Sequence, residues 1–571
     1  MKCFDAHARS DSSASRAERR AGWRRAALFV ALCVAALSPA SASAQVARQA
    51  ADAIIELDVE RGRALLEQAG PRQDLAFERA RLALYLGDCE AAQAIMTAPQ
   101  FDGSEDAAHF RAVAEGCHGA TAAGLILEDE ARGVWLRLQD SEDRALAPRL
   151  FEVASASREH IERELGVTLP RPLRIDLVRD LFSLAAVTGL PLTAAETTGT
   201  VAVARWGRVT MLSPRAASSG YPWEDTLAHE ITHLALSRAT RDRAPLWLQE
   251  GIAKRLETRW RAPQPFDVHD HHRESRAAQV EGQSVGIQGL GSSIAMLPTP
   301  EAASIAFAEV ASFMDFWVTQ NGVPALQLLL RDLRGVGDAG PNAALLSLSG
   351  VTLIEWNERW QRWLEAHVEA PKPPPKLPPL EVKRIERQRG EAARLARLGE
   401  VLLRRGHAAA AEVNYLKLLE IEPRDAGVRS RLGRAALAQG APDRARDYVA
   451  ELSQVKRDHA HWWALRARFG LGTGAEEPSS PAAARAAYLQ GIAVDPLSEL
   501  VACAGHVSVQ ANPQTSPSGD PQVRPGAAPG APSGVPSAAP QAAPSAAASA
   551  GSVHEVAYRE LCEAARRFGR D

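Results

Sequence analysis

Apolar residues recur at intervals of three and four along much of the chain, and this spacing predicts a structure dominated by helices. Residues 45–130 form the first helical region, which is rich in alanine and leucine and is broken at Gly87-Asp88. A second region follows the middle of the chain, with helices predicted over Pro300–Gln320 and Pro324–Arg334. A capping box at Thr352–Glu355 predicts the start of a third helix there.

Between these two helical regions, apolar residues recur at every second position, which is the period of a strand. Four runs of residues alternate in this way, and the last two of them surround Trp206-Gly207 and predict a hairpin. Residues 143–165 lie between the first two runs and predict a helix. Strands and helices that are segregated in this way predict an α+β fold with a small sheet. The four alternating runs are Val134–Leu138, Leu173–Val178, Thr200–Ala204 and Arg208–Leu212.

Two histidines and two glutamates within residues 223–257 carry the candidate chemistry. His229 and His233 are four positions apart on a predicted helix, so both side chains lie on one face. Glu250 lies on the next predicted helix and can supply a carboxylate oxygen. Two imidazoles, one carboxylate and an open position are the ligand set of a catalytic zinc site. Glu230 lies beside these groups, where it can act as a base toward a water molecule.

The motif His229-Glu230-Ile231-Thr232-His233, followed by Leu246–Ala253, resembles the gluzincin metallopeptidases, the peptidase-MA-like branch related to thermolysin. The resemblance covers residues 133–367, within a predicted domain of residues 131–368. It implies one Zn²⁺ bound by His229, His233 and Glu250, with Glu230 as the general base. It also implies a thermolysin-like domain, in which a small mixed sheet and a helical half enclose a cleft. An edge strand of that sheet would accept an extended peptide through main-chain hydrogen bonds.

Two more residues are candidates for supporting roles in this domain. Glu257 lies two turns after Glu250, where it can orient a ligand histidine or simply face solvent. Tyr221 is a candidate for stabilising the oxyanion, a task that gluzincins usually give to a tyrosine or a histidine. Where relatives often carry a tyrosine, in the predicted helix 300–320, this chain has phenylalanines. They are Phe307, Phe313 and Phe316.

A repeat of 34 residues follows the candidate catalytic domain. Leu398-Gly399 recurs as Leu432-Gly433, and Gly406 recurs as Gly440. This period resembles that of tetratricopeptide repeats, whose stacked helical hairpins form a protein-binding surface. Residues 381–510 are therefore predicted to bind a protein partner or to dock on the preceding domain, with a plain helical bundle as the alternative. Residues 45–130 resemble degenerate units of the same kind or form an ordinary helical cap.

Composition and the N-terminus indicate the compartment and exclude some partners. Charge is balanced, with 66 Lys and Arg against 69 Asp and Glu, so nothing predicts nucleic acid as a partner. In residues 1–44, arginines precede the apolar run Ala26–Leu37 and the small residues Ala42-Ser43-Ala44, which predicts a secretory signal cleaved before Gln45. The run falls short of the about 20 residues that span a bilayer. We expect an exported protein, periplasmic or extracellular, without a membrane span after cleavage.

Export changes the interpretation of the cysteines, because Cys3 and Cys33 would leave with the signal. An even set without metal-ligand spacing predicts disulfides in an oxidising compartment. Four cysteines permit three pairings, of which proximity in sequence favours Cys89 with Cys117 and Cys503 with Cys562.

The remaining segments are connections and a terminal helix. Residues 369–380 are rich in proline and predict a stiff linker, whereas residues 511–550 are predicted to be disordered. Residues 551–571 return to a helical pattern and are expected to dock back onto the repeats. One polar loop contains three histidines that either bind a second metal or face solvent, and we expect the second. They are His269, His271 and His272.

The sequence thus predicts a zinc-dependent peptidase that carries a protein-interaction domain, with a peptide or protein as substrate. A second interpretation from another class stays open. In it the gluzincin domain is catalytically weak or inactive, and the chain is a tetratricopeptide interaction scaffold in the cell envelope.

Overall fold

The computed structural model is mostly helical and contains a small mixed sheet together with helical repeats, an architecture compatible with the predicted α+β class. The predicted segment 511–550 and most of the segments 1–44 and 369–380 lie outside the residues that the structure describes. The described residues are 39–193, 199–217, 220–263, 267, 270–291, 293–294, 297–335, 340–369, 379–450, 459–472, 480–510 and 559–567.

The first region is a run of helices in which each one packs on the next. Gly87 adopts φ +82° and ends one helix, and the Asp88 side chain then accepts a hydrogen bond from the Ala91 N–H at 3.0 Å to begin the next. This is the break that the sequence predicted. The first helix crosses the predicted cleavage site before Gln45, and cleavage there stays a prediction. The helices are α1 Pro39–Ile55, α2 Val59–Gln68, α3 Ala76–Leu86, α4 Cys89–Met96 and α5 Glu105–Thr121, with 3₁₀ turns at Gln73–Leu75 and Pro99–Phe101.

A five-stranded sheet follows, in the order β1-β2-β3-β5-β4. The outer pairs are antiparallel and the inner pairs are parallel. The hairpin between β4 and β5 turns at Trp206 and Gly207, which both have positive φ, as a two-residue hairpin loop of the primed type requires. The strands are β1 Leu125–Asp129, β2 Val134–Leu138, β3 Leu173–Val178, β4 Ala202–Arg205 and β5 Arg208–Leu212.

Strand β1 lies inside the region that we predicted to be helical, so the sheet begins before residue 131. Leu125 and Leu127 are half-buried while Ile126 is 51% exposed. The exposed isoleucine obscures the period of two, and the strand is defined instead by its pairing with β2. At the opposite edge of the sheet, β4 pairs only with β5 among the described strands.

Helices surround the sheet and form a second, all-helical half. The capping box predicted at Thr352 and Glu355 is present. Helix α11 is long and apolar enough to span a membrane, but most of its apolar stretch is buried in the protein core. The helices are α6 Ala147–Leu165, α7 Leu181–Thr188, α8 Trp223–Thr240, α9 Leu246–Leu256, α10 His271–Glu281, α11 Pro300–Asn321, α12 Val323–Gly335, α13 Gly340–Ser349 and α14 Leu353–His367, with 3₁₀ turns at Ser141–Leu146 and Pro214–Ala216.

The repeat region is an array of helical hairpins. Its repeated glycines permit close helix contacts, because a Cβ at Gly399 would collide with the Tyr415 ring and one at Gly433 would lie 2.9 Å from Leu465. Packing within the array therefore explains the period of 34 residues. The helices are α15 Pro379–Arg404, α16 Ala408–Ile421, α17 Ala426–Ala438, α18 Pro442–Ala450, α19 Ala460–Arg468, α20 Pro481–Ile492 and α21 Glu499–Gln510, and residues 559–567 form α22.

The end of the array docks on the start of α8, which is one of the two arrangements predicted for this region. The Tyr221 N–H donates to the Val494 carbonyl at 3.0 Å, and the Trp223 indole N–H donates to the Ile492 carbonyl at 2.9 Å. A chain that ended near Ala370 would lose both acceptors and uncover Trp223, which is 1% exposed.

Two disulfides join the cysteines that proximity in sequence paired. Cys89 is bonded to Cys117, which links α4 to α5, and Cys503 is bonded to Cys562, which links α21 to α22. Helix α22 was expected to dock on the repeats, and its disulfide to α21 agrees with that prediction. Its apolar residues also join the core of the main domain, next to Ser141–Ala145, so this helix lies between the two regions.

Replacing Trp223 with phenylalanine tests the docked arrangement. The variant leaves the buried Ile492 carbonyl without its donor, so its free energy of unfolding should fall by about 1–3 kcal/mol more than that of a control. Trp317→Phe is the matched control, because Trp317 is equally buried and its indole N–H has no hydrogen-bond partner. Urea unfolding followed by circular dichroism measures both. Equal destabilisation of the two variants would contradict the docking contact.

Candidate metal centre

Helix α8 is held firmly at its N-terminal end. Leu227, Ile231 and Leu234 form its buried stripe. The Glu224 carboxylate accepts two hydrogen bonds from Arg149 of α6, at 2.7 and 2.8 Å. The Asp225 carboxylate is bound by Arg261, at 2.8 and 3.1 Å, and accepts a third bond from the Trp260 indole at 3.1 Å. These acidic residues suit the positive end of the helix dipole, and they also fix the helix that carries the histidines.

Glu250 is positioned by the packing of α9 against α11. The residue after it, Gly251, lies so close to α11 that a Cβ there would be 2.7 Å from the Val310 carbonyl oxygen and would overlap Met314. Leu248 and Ile252 are fully buried on the same helix. The glycine therefore permits the approach that brings Glu250 to α8.

His229, His233 and Glu250 meet at one point. The Nε2 atoms of the two histidines are 3.2 Å apart, and the Glu250 Oε2 is 3.4 Å from His229 Nε2 and 3.7 Å from His233 Nε2. A tetrahedral zinc ion with bonds of about 2.0–2.1 Å requires ligand atoms about 3.3–3.4 Å apart. The three atoms therefore fit such an ion, and among the described residues this is the one group of His, Cys, Asp or Glu side chains with metal-binding spacing.

Glu257 contacts the far side of the first histidine. Its Oε2 is 3.2 Å from His229 Nδ1, and the Lys254 ammonium binds the same oxygen at 3.0 Å. A carboxylate on Nδ1 favours the tautomer that leaves Nε2 able to bind a metal, and it fixes the orientation of the ring. Glu257 was predicted either to orient a ligand histidine or to face solvent, and the structure places it beside His229.

The carboxylates around His229 control its charge. Burial opposes the positive charge, but hydrogen bonds to Glu250 and Glu257 outweigh it and raise the pKa of His229 to about 10. Burial likewise opposes the charge of Glu250, yet the neighbouring His233 and His229 lower the pKa of that carboxyl to about 2. A metal ion binds a neutral imidazole, so it would compete with a proton at His229.

The three residues and Glu230 line a cleft of about 890 Å³. Glu230 is 8% exposed and lies on α8 beside the histidines. The lining also includes residues 199–204, which contain part of the edge strand β4, residues of α9, and residues from the segment 297–307. A cleft of this size holds several residues of an extended peptide next to a sheet edge.

Tyr221 does not serve the role that was considered for it. Its hydroxyl donates to the Leu212 carbonyl at 2.5 Å, and the side chain is 8% exposed. It is also absent from the described lining of the cleft. The tyrosine instead fixes the approach to α8 against β5, so this oxyanion assignment is wrong.

The histidines after residue 268 also differ from the prediction. His271 and His272 begin α10 rather than occupying a loop, and His269 lies outside the described residues. The His272 Nδ1 is 2.8 Å from the Ser312 hydroxyl and its ring packs on Trp363 at 4.8 Å. His272 therefore packs against the helical half instead of facing solvent.

Sequence reasoning missed three residues that support the site, namely Arg149, Arg261 and Lys254. The two arginines come from distant positions, and no local pattern connects them with α8. Lys254 had a usable signal, because it lies four positions after Glu250 and therefore one turn along the same face of α9.

Replacing Glu257 with glutamine tests its contact with His229. The amide keeps the size of the side chain but weakens the interaction with Nδ1, so zinc affinity or activity should fall by about 10- to 100-fold. Competition with a chelating dye measures the affinity. Glu281→Gln, at an exposed position on α10, is the control. Equal zinc affinity in both variants, with unchanged activity, would reduce Glu257 to a structural ion pair.

Comparison with known proteins identifies one family in this chain. Residues 390–469 match the tetratricopeptide repeat family, which confirms the repeats predicted from the 34-residue period. This match supports a role in protein–protein interaction. Neither the curated proteins nor the solved structures include a match to the chain.

Proposed function

We propose that the chain is a zinc-dependent peptidase with an attached tetratricopeptide interaction domain. The observation that carries this proposal is the meeting of His229, His233 and Glu250 at the spacing of a tetrahedral zinc ion, with Glu230 beside them in the cleft. The same residues carry the resemblance to gluzincins, and the small mixed sheet beside a helical half is compatible with that family.

The residues of the cleft have distinct tasks in peptide hydrolysis. A bound zinc ion supplies Lewis acidity, which polarises a carbonyl group and makes a water molecule more acidic. Glu230 takes a proton from the attacking water as the water oxygen bonds to the carbonyl carbon, and the carbonyl π electrons move to its oxygen. When the C–N bond breaks, Glu230 returns that proton to the amine nitrogen. The second water proton stays on the new carboxyl group, so the products are a carboxylic acid and an amine, which then equilibrate with solvent, and Glu230 is regenerated.

The edge strand β4 gives the substrate a place to bind. Residues 200–204 line the cleft, and β4 has β5 as its partner on one side only among the described strands. An extended peptide can therefore form main-chain hydrogen bonds along the other side. This arrangement favours unfolded or loop segments of a peptide or protein as substrate. The repeats would bind a separate protein partner, and we propose that both act in the periplasm or outside the cell.

A second function, that of an interaction scaffold with an inactive domain, is favoured by one observation. The Tyr221 hydroxyl donates to the Leu212 carbonyl, and helix α11 presents Phe307, which has no hydroxyl, to the cleft. Neither residue therefore supplies a hydroxyl for an oxyanion. Loss of one such donor lowers rates by about 10²–10³-fold, which slows an enzyme without abolishing catalysis. The ligand set and Glu230 therefore weigh more than this gap.

Metal analysis of the purified protein, together with a proteomic cleavage screen, tests the proposal. We expect one zinc per chain and new peptide termini that appear with the protein and disappear with a chelator. Bound zinc without any new termini would favour the scaffold. Absence of zinc after incubation with excess metal would contradict the metal site itself.

A further inference from the structure

Peptide hydrolysis places negative charge on the former carbonyl oxygen, and a positive group or hydrogen-bond donor near that oxygen accelerates the reaction. Among the described residues that line the cleft, Lys254 is the one lysine or arginine. We propose that Lys254 is the catalytic residue that stabilises this oxyanion, an inference that rests on the proposed peptidase function.

The position of Lys254 suits this role. It lies one helical turn after Glu250 on α9, so both side chains extend from the same face toward the cleft. Its Nζ is 5.4 Å from the centre of the Phe307 ring, and 27% of its side chain is exposed. Lys254 lines the same cleft as residues 200–204 of the strand side. A peptide bound along that strand would share the cleft with the ammonium.

The contacts of Lys254 hold the ammonium in place and occupy two of its three N–H donors. Nζ lies 3.0 Å from Glu257 Oε2 and 3.3 Å from Oε1 of the same carboxylate. An ammonium carries three N–H donors, and these contacts account for two. The Phe307 ring supports the charge from the side without competing for a donor. The lysine is therefore positioned before substrate binds, and one of its N–H groups can donate a hydrogen bond to a substrate oxygen.

The charge is needed only after the water has added. As the water oxygen bonds to the carbonyl carbon, the C=O π electrons become a lone pair on oxygen while Glu230 holds the water proton. The Lys254 N–H then donates to an anion instead of a neutral carbonyl, which strengthens the hydrogen bond in the transition state. When the C–N bond breaks, the lone pair re-forms the C=O bond and Lys254 keeps its own proton throughout.

A purely structural role for Lys254, as the cation that pairs with Glu257, predicts a different result. In that case Lys254 would act through Glu257 on His229. Its removal would weaken zinc binding as Glu257→Gln does, and turnover would fall only in proportion to the lost metal. An oxyanion role instead lowers kcat in enzyme that is saturated with zinc.

The test compares Lys254→Met, Lys254→Arg and Glu257→Gln at saturating zinc. We expect Lys254→Met to lower kcat by about 10²–10³-fold, with a smaller change in KM and in zinc affinity. Lys254→Arg keeps a cation and should retain most of the rate. Lys417→Met, at an exposed position of the repeats, is the control. Zinc content and thermal melting confirm that each variant is folded and loaded.

Inhibitor binding gives a readout that does not depend on turnover. A phosphinic peptide, built on the best cleaved sequence, carries a tetrahedral anionic group in place of the reacting carbonyl. Calorimetry should show that Lys254→Met weakens its binding by a factor similar to the loss in kcat, whereas binding of the product amine, which carries no oxyanion, changes little. If Lys254→Met keeps wild-type kcat and inhibitor affinity, or merely reproduces Glu257→Gln, the assignment is overturned. If the wild type neither cleaves any peptide nor binds phosphinic peptides, the peptidase proposal fails first.

Discussion

Glu230→Gln is expected to bind zinc and fold like the wild type while its kcat falls by about 10²–10⁴-fold, the range supplied by general acid–base catalysis. The amide has the size of the carboxylate and can still hydrogen-bond to a water molecule, but it cannot accept a proton. Glu230 is 8% exposed on a helix that is fixed at its N-terminal end, so a same-size substitution leaves the packing intact. Steady-state cleavage of a peptide found in the screen, with zinc content measured alongside, gives the result.

A matched control and a contradicting outcome make this experiment specific. Glu274→Gln changes an exposed glutamate on α10 by the same atoms and should leave kcat unchanged. If the wild type binds one zinc but cleaves nothing, and Glu230→Gln binds the repeat partner as the wild type does, the scaffold interpretation is correct.

His229→Ala is expected to lose the metal as well as the activity. The substitution removes the Nε2 that is 3.2 Å from His233 and 3.4 Å from Glu250, and two remaining ligands bind zinc far more weakly. Activity should therefore fall to background, at least as far as in Glu230→Gln. Zinc stoichiometry after dialysis, measured by mass spectrometry, should fall from one to near zero.

The control for this variant is His367→Ala, which changes an exposed histidine at the end of α14 that is not among the described residues lining the cleft. The comparison between the two site variants is more informative than either alone. Activity lost in both, with zinc retained in Glu230→Gln alone, separates the base from the ligands. Retention of zinc by His229→Ala would mean that the metal binds elsewhere.

The meeting of the three candidate zinc ligands was the most predictable feature of the molecule, and the reason is its local geometry. His229 and His233 share a helix, so a spacing of four residues is enough to bring them together, and Glu250 follows on the next helix. The strands β2, β3 and β5 were also visible from the alternation of residue types along them, although the structure buries both of their faces.

Features that depend on distant contacts could not be predicted from the local sequence. The partner of Tyr221 is the Leu212 carbonyl, and a main-chain acceptor leaves no trace in a side-chain pattern. Strand β1 has an exposed isoleucine on one face, and its identity as a strand comes from pairing. His271 was placed in a loop because the proline residues before it obscured the start of α10, which Asp270 caps.

The hydrogen bond between Trp223 and Ile492 also has a consequence for the order of events during synthesis. The two residues are separated by 269 positions, so a ribosome adding about 5–20 residues per second needs roughly 15–50 s to make the second after the first. During that interval the start of the helix that carries both histidines has no cover, and its tryptophan is open to water or to a chaperone. Messages that end translation before residue 492 should therefore yield fragments that aggregate or are degraded, even though every residue of the metal centre has been made.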